Sequence, residues 1–401
     1  MSRLDELIQE KCPDGVEYKI LSEVFYTRNG YTPSKKEKNY WKNGTIPWFR
    51  MEDIRENGGI LDKATQYVSQ EAVKGSPFPA NSIIVATSAT IGEHALITVP
   101  SIANQRFTYL MVKEQYKDDY DPKFLYYYCF KLDEYCKECL NQGNFASVDM
   151  KKFAKFQFPR LPIEIQREIV RILDNFTNLT AELVKELTAR KTQYGYYRNK
   201  FLDFESSVSV KTIGDICDVV VGGEPPTDCI KGDVRDSTHI YPVWGNGKEV
   251  YGYSGTYKID RNAVVISSIG ANTGAVYYKE AFFTPIIRLK VILPKDNQIN
   301  ARFLFHALSG TTIKSKSSSV PNMNANEIKA IKIPVPPLDV QNRIVNVLDN
   351  FEKICSDLNI GLPAEIEARQ KQYEYYRDKL LTFAETGNTI LNGTERNGTE
   401  R

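Results

Sequence analysis

The densest concentration of side chains able to engage phosphate lies between Arg28 and Gly44, where Arg28, Lys35, Lys36, Lys38 and Lys42 meet a single acid, Glu37. Tyr31, Tyr40 and Trp41 interleave with these cations. Lysine and arginine neutralise phosphates and aromatic rings offer flat apolar faces, so the segment reads as a nucleic-acid contact, with a solvated lysine loop as the alternative. Further on, Thr87, Ser88 and Thr90 follow the apolar run Ile83-Ile84-Val85-Ala86. Such a hydroxyl-rich loop suits hydrogen bonds to phosphates or bases. Gln105 and Arg106 are types that read adenine and guanine respectively. Each of these residues also has a purely structural reading.

The second half of the chain is more balanced in charge between Gly222 and Lys258. There Lys248, Tyr251, Tyr253, Tyr257 and Lys258 surround Gly245-Asn246-Gly247-Lys248. Asn-Gly is the strongest short signal for a tight hairpin, and the fragment lacks the Ser or Thr that would follow the lysine of a phosphate-binding loop. Ser267, Ser268 and Asn272 correspond to the first hydroxyl-rich loop. Lys314 and Lys316, with Ser317, Ser318 and Ser319, form another polar stretch, either a phosphate clamp or a flexible loop.

Other chemistries lack their residues. His94, His239 and His306 are the only histidines and stand far apart, which leaves little for general-base, triad or zinc chemistry. Cys136 and Cys139 have the spacing of half a zinc site, with Cys129 nearby, but a structural site takes four ligands and no second pair appears. The odd count of seven cysteines fits reduced thiols rather than a disulfide framework. Gly270-Ala271-Asn272-Thr273-Gly274 follows a strand pattern, yet no helix or acidic partner follows as a nucleotide loop requires, so it reads as a turn. A chain this long without a catalytic, metal or cofactor cluster is expected to be a binder.

At 401 residues the chain implies two or more globular units. Fifty-two basic residues nearly cancel fifty acidic ones, so any nucleic-acid surface must arise from local segregation of charge. No apolar run approaches the roughly 20 residues of a membrane helix, and Met1 to Glu6 lacks the apolar core of a signal peptide. A cytoplasmic protein is expected.

An internal repeat decides what holds these candidates in place. Pro162-Ile163-Glu164-Ile165-Gln166 is echoed by Pro337-Leu338-Asp339-Val340-Gln341, and Leu173-Asp174-Asn175-Phe176 by Leu348-Asp349-Asn350-Phe351, both at an offset of 175. Further on, Gln193-Tyr194-Gly195-Tyr196-Tyr197-Arg198 is echoed by Gln372-Tyr373-Glu374-Tyr375-Tyr376-Arg377 at 179, so the second copy has gained four residues between Leu358 and Ala368. Within the first copy Ile165, Ile169, Ile172, Phe176 and Leu179 recur at alternating steps of four and three; Val340, Ile344, Val347 and Phe351 repeat the pattern. That is a heptad seam, and a four-residue gain is a stutter that nearly preserves its phase. Two long pairing helices are expected, with Tyr194, Tyr197, Tyr373 and Tyr376 continuing their seams. The repeated Arg190, Arg198, Arg369 and Arg377 suit helix pairing or partner docking. Gly361-Leu362-Pro363 predicts a kink or break in the second helix, because proline inside a helix removes a hydrogen bond and clashes. The first helix, about 40 residues, would be on the order of 60 Å long.

The intervening segments repeat more weakly. Val16 to Val24 resembles Val208 to Ile216, and Gly30-Tyr31-Thr32-Pro33 parallels Gly223-Glu224-Pro225-Pro226. Ile83 to Ser88 parallels Val264 to Ser268, and Asp121-Pro122-Lys123-Phe124-Leu125 parallels Asn300-Ala301-Arg302-Phe303-Leu304, where Asp or Asn can cap an aromatic helix.

This pattern resembles the specificity subunit of type I restriction-modification systems over essentially all of the chain before Glu385. Its carriers are Leu161 to Val170, Pro337 to Val345, the two Gln-Tyr-x-Tyr-Tyr-Arg-x-Lys helix ends, and Cys12-Pro13-Asp14-Gly15-Val16-Glu17-Tyr18. The resemblance implies a mixed α/β (α+β) fold with a pseudo-two-fold internal repeat. Two target recognition domains, 1–160 and 206–335, would be separated by two long antiparallel coiled-coil helices, 161–205 and 336–385. Each domain would read one half of a bipartite site in double-stranded DNA, and this chain would carry no catalytic, cofactor or metal site. The helices would dock two methylation subunits that use S-adenosylmethionine; restriction and translocation subunits using ATP and Mg2+ would join them. A non-DNA protein scaffold and a self-contained modification enzyme are the competing readings. The tail, 386–401, ends in a tandem Asn-Gly-Thr-Glu-Arg pentapeptide too polar for a core and is expected to be disordered.

Overall fold

The computed structural model describes residues 3–141, 146–204, 208–270, 272–296, 298–309, 323–357 and 359–386. Lys314, Lys316 and the pentapeptide tail lie outside the described residues. The chain forms two compact units, one made of Met1–Ala181 with Ala368–Arg401, the other of Glu182–Glu367. Each unit is completed by a helical segment supplied by the other copy of the repeat. Among the described residues no helix is long and apolar enough to cross a membrane.

The first unit is built on a five-stranded sheet in the order Phe25–Asn29, Phe107–Val112, Ser82–Ala86, His94–Ile97, Ile60–Leu61. A three-stranded sheet, Tyr67–Val68, Ile46–Phe49, Ile102–Ala103, packs on it. The central strand Ser82–Ala86 is buried at every position, because both of its faces are covered. Ile83 and Val85 face a core under the helix Pro122–Glu138, while Ile84 and Ala86 face the three-stranded sheet.

The second unit repeats the first four places of this order in a four-stranded sheet, Cys217–Val221, Lys290–Pro294, Ala263–Ile266 and Val276–Lys279. Its smaller sheet runs Ile230–Lys231, Gly252–Ser254, Tyr241–Trp244, Thr284–Pro285. Each unit also has a two-stranded ladder, Glu17–Ile20 with Gln157–Arg160 and Val210–Thr212 with Lys332–Pro334. The mixed helix and sheet fold is thus written twice.

The aromatic helices start on the caps their sequences carry. Asp121 accepts from the amides of Lys123 and Phe124, with Pro122 at the first helical position. Asn300 does the same for Arg302 and Phe303 at the head of Ala301–Ser309. Phe124, Tyr128, Leu132 and Cys136 fall four residues apart and are all buried, which fixes the inward face of the first.

A buried glutamine ties each aromatic helix to the long helix that follows. Gln166, fully buried, donates to the carbonyls of Asp119 and Leu161 at 2.6 and 2.7 Å and accepts from the Asp121 amide at 2.9 Å. Gln341 repeats this on Gln298, Pro336 and the Asn300 amide, each at 2.8 Å. About two turns later, Asp174 accepts from the Lys123 ammonium at 2.6 Å and the Tyr127 hydroxyl at 2.7 Å. Asp349 accepts from Arg302 at 2.8 Å and from Nε2 of His306 at 2.7 Å.

The first long helix runs unbroken over Ile163–Leu202. The second segment is two helices, Leu338–Ser356 and Leu362–Thr386, rather than one. Pro363 falls in the first turn of the later helix, where proline is tolerated. The break also needs Gly361, since a Cβ there would stand 2.6 Å from the carbonyl oxygens of Asp357 and Lys353. The four extra residues therefore sit beside an interruption and do not make a stutter in a continuous helix.

All seven cysteines are free. Cys129, Cys136, Cys139, Cys217 and Cys355 are buried, and burial pushes the Cys136 thiol up to about 12. A maleimide applied to the native protein is expected to label Cys12 and Cys229 and to spare these five. Rapid labelling of Cys136 or Cys139 would contradict the packing described for the Pro122–Glu138 helix.

Candidate nucleic-acid interface

Arg28 is the penultimate residue of the edge strand Phe25–Asn29, with its side chain exposed and its guanidinium 5.4 Å from the Phe78 ring centre. Lys35, Lys36, Lys38 and Lys42 are all exposed on the loop that follows, around the short helical turn Lys38–Trp41. The aromatic residues between them do a different job. Trp41 is half-buried, meets Trp48 edge-on at 4.9 Å and donates through Nε1 to the Ser34 carbonyl. The Tyr31 hydroxyl accepts from the Lys74 amide at 2.8 Å, and the Lys74 ammonium covers its ring at 5.1 Å. Tyr31 and Trp41 therefore brace the loop while the cations face outward.

The hydroxyl-rich loop divides. Thr87 is buried, its hydroxyl 2.9 Å from that of Thr108, which itself donates to Asn29. This corrects its assignment as a contact residue: the hydroxyl is spent inside the unit. Ser88 bridges to Ser147 and is half-buried, and the Thr90 hydroxyl is buried without a partner. Gln105 and Arg106 are exposed at the centre of a turn, Asn104–Phe107, closed by the Phe107 amide donating to the Asn104 carbonyl. Gln105 accepts from the Thr32 hydroxyl at 2.6 Å. No hydrogen bond or ion pair engages the Arg106 guanidinium among the described residues.

In the second unit the structure corrects three more positions. Ser267 and Ser268 are fully buried, donating to the carbonyls of Asn246 and Arg288. Tyr253 is buried with its hydroxyl on Asp233 at 2.9 Å and the Arg235 guanidinium over its ring. Their side chains are consumed by internal bonds. Asn246-Gly247 does not make a two-residue turn either: Tyr241–Trp244 and Gly252–Ser254 pair across a longer loop. Instead, Asn246 donates to the Ile287 carbonyl and accepts from the Ser268 amide. Lys248, Lys258 and Asn272 are exposed, while Tyr251 is half-buried beneath Lys231.

Two features escaped the sequence reading. Tyr241, Tyr257 and Phe282 form an aromatic cluster beside Lys279, whose ammonium lies over Trp244 and is lowered by burial to about 8. The turn Ile286–Leu289 carries an exposed Arg288, again with no partner for its guanidinium among the described residues. Ile287 and Arg288 have φ of +53° and +59°. The left-handed region costs about 1–2 kcal/mol per residue for side chains of this kind, more for a β-branched one. Aligning Gln105-Arg106-Phe107 with Ile287-Arg288-Leu289 would have found this arginine, but the match is one residue in three.

On the helices, Ile165 and Ile169 are fully buried, Ile172 is half-buried, and Ile344 is nearly buried. Val340 is half-buried against the second unit's core. Leu179 and Val347, placed in the seam by the heptad reading, are 49% and 40% exposed. Beyond Leu173 and Leu348, contact passes to stacked rings: Phe176 on Tyr376 at 5.4 Å in the first unit, Phe351 on Tyr197 at 5.7 Å in the second. These are the same two repeat positions, each pair drawn from opposite copies. Arg190 and Lys191 lie near Cys355, four residues past Phe351, so the segments run antiparallel there.

Tyr373 is buried, and Arg377 covers Phe130 at 4.2 Å. Tyr194 bonds Nδ1 of His306 at 3.1 Å and Arg198 donates to the Ser309 carbonyl. Arg198 and Arg377 therefore weld helix to helix inside their own units. Arg190 bonds Glu186 and Gln193, and Arg369 bonds Gln372, each within its own helix.

The described residues bring one potential metal-binding trio together, His306, Asp349 and Glu352. Arg302 already bonds both carboxylates and supplies the cation there. Burial lowers the His306 pKa, so its ring is neutral and donates to Asp349 while accepting from Tyr194. His94 is buried between Asp133 and the Tyr126 carbonyl, and His239 pairs with Asp236 at the surface.

A family model for the type I restriction modification DNA specificity domain matches residues 13–190 and again 205–368. The chain is 43% identical over 377 residues to the type I restriction enzyme EcoprrI specificity subunit of Escherichia coli, spanning 89% of this chain and 93% of that one. It is 34% identical over 287 residues to the EcoR124I/EcoR124II specificity subunit of the same organism, 65% of this chain and 70% of that one. Two solved chains share the fold at 16% identity. One is the S subunit of a type I restriction-modification system from M. genitalium, with a TM-score of 0.53 over 93% of this chain and 97% of that one. The other comes from work on complex assembly and conformational transition of the type I R-M system, with a TM-score of 0.61 over 93% and 98%.

Proposed function

The chain belongs to the family of type I restriction-modification DNA specificity subunits, and from that membership we propose that each of its units reads one half of a bipartite site in double-stranded DNA. The observation that carries this reading is the duplication itself: one strand order built twice, on which the exposed loops differ. A shared framework with unlike loops suits two unlike half-sites. Lys35, Lys36, Lys38 and Lys42 in the first unit, and Lys248 and Lys258 in the second, supply phosphate contacts. Base reading falls to exposed side chains, Arg106 with no internal partner among the described residues and Gln105 with its amide nitrogen still available beside the bond from Thr32.

In this reading the chain performs no chemistry. Adenine methylation belongs to two partner subunits that bind S-adenosylmethionine, and cleavage and translocation to subunits that use ATP and Mg2+. The protein works where chromosomal DNA is, in the cytoplasm. Docking of a partner twice is supported by a second repeat-equivalent pair on the helices. Tyr196 is 60% exposed beneath Lys200, and Tyr375, 179 residues on, is 45% exposed beneath Lys379. Large aromatic rings left in solvent at matching positions suit an interface that is made twice.

The test is an adenine-methylation map of the native cell beside a strain lacking only this gene. Loss of one bipartite motif is expected and would name both half-sites. An unchanged map, with no methylation subunit copurifying, would leave the scaffold reading in its place. Methylation by the isolated chain with S-adenosylmethionine would instead favour a self-contained enzyme.

A further inference from the structure

Resting on that reading, we propose that Arg106 and Arg288 are the matched base-reading residues of the two units, each held on a locked turn to recognise a guanine in its own half-site. The two turns join corresponding strands. Asn104–Phe107 links Ile102–Ala103 to Phe107–Val112, and Ile286–Leu289 links Thr284–Pro285 to Lys290–Pro294. Each is closed by its fourth amide donating to its first carbonyl, at 3.2 Å in one and 3.1 Å in the other. Arginine at the third position is the only side chain the two turns share.

A glycine presses against each turn from the end of the edge strand. The Gly30 amide donates to the Phe107 carbonyl at 2.9 Å, and the Gly222 amide donates to the Leu289 carbonyl at 2.8 Å. The next amide, of Tyr31 or Gly223, donates to the carbonyl of Ala103 or Pro285. Gly30 thus matches Gly222, one residue earlier than the sequence parallel suggests. The contact is too close for any other residue, since a Cβ on Gly30 would lie 2.4 Å from the Asn104 oxygen, and one on Gly222 would lie 2.8 Å from the Ile286 nitrogen.

The second unit adds further ties. Asn246 holds the Ile287 carbonyl, while the Arg288 carbonyl accepts from the Ser268 hydroxyl at 2.8 Å and the Lys290 ammonium at 3.2 Å. These bonds keep Ile287 and Arg288 in a left-handed conformation that favours glycine or asparagine. A backbone so constrained aims one side chain, and that side chain is exposed and uncommitted. The planar guanidinium fork matches O6 and N7 of guanine in the major groove, which the point charge of lysine does not. Ser268 and Asn246 act as positioning residues: they touch the turn, and Arg288 touches the base.

The experiment uses the full chain reconstituted with its methylation partners, probed with duplexes carrying the wild-type site and its single-base variants. Arg288→Lys is expected to keep the salt dependence of binding, yet to lose roughly 10- to 100-fold of discrimination at one G·C pair of one half-site. Arg106→Lys is expected to do the same at one pair of the other half-site. Asn246→Ala is expected to relax the same pair as Arg288→Lys, which a merely structural residue would not do. The proposal falls if Arg288→Lys leaves the recognised site unchanged, if Arg288→Ala weakens all duplexes equally as a phosphate contact would, or if either half-site lacks a G·C pair. Failure of the wild-type complex to prefer any site would overturn the DNA-reading function itself, a different result from these.

Discussion

Reversing Lys35, Lys36 and Lys38 together to glutamate is expected to lower duplex affinity by roughly 100- to 1000-fold near 0.1 M salt and to flatten the salt slope by about 3. Each lysine on a phosphate releases counterion, so removing three contacts takes about three from the slope, and the new negative charges repel the backbone besides. The fold has little reason to respond. All three side chains are exposed on the loop after Gly30, and the aromatic residues that brace it, Tyr31 and Trp41, are untouched. Surface changes of this kind usually stay within about 0.5 kcal/mol of stability. Binding titrations at several salt concentrations, with thermal melting alongside, check both halves of the expectation. Unchanged affinity and slope would remove the loop from the interface; weakened binding with a collapsed melting temperature would mean the loop is structural.

The second large effect concerns stability. Gln166→Ala is expected to destabilise the first unit by about 2–4 kcal/mol, and Gln341→Ala the second by a similar amount. Each glutamine makes three hydrogen bonds to backbone groups that become buried orphans when it is lost. At the usual 2–4 °C per kcal/mol for domains near 200 residues, either change should lower the corresponding transition by on the order of 10 °C. The two sites share no partner, so the double variant is expected to add them. Scanning calorimetry of the two single variants and the double decides this. A shift under about 2 °C would mean that water replaces the amide, and that the long helices are anchored by their apolar stripe alone.

These two expectations draw on different levels of information. The glutamines were legible as repeated letters, Gln166 and Gln341 at one offset, but their role was not, because the groups they bind lie up to 47 residues away. The lysine loop was legible in position, with its cations exposed as the sequence suggests. The hydroxyl-rich loop misled in part. Thr87, Ser267 and Ser268 have the composition of a contact surface, yet each hydroxyl is spent on a partner about 20 residues distant in sequence. The heptad pattern showed two long pairing helical segments, but Leu179 and Val347 fit the period and still face solvent.

The sequence by itself determined the duplication, the aromatic helices with their Asp121 and Asn300 caps, the break beside Pro363, and the segment from Arg28 to Lys42. Those features depend on neighbours within a few residues, or on comparison of the chain with itself, so no folded context is needed to read them. Only the tertiary structure decided that each copy's helix completes the unit of the other, which hydroxyls are buried, and that Arg288 occupies the position of Arg106. Those depend on contacts between residues far apart in sequence. Burial and hydrogen bonding then select, among side chains of one chemical type, the few left free to reach another molecule.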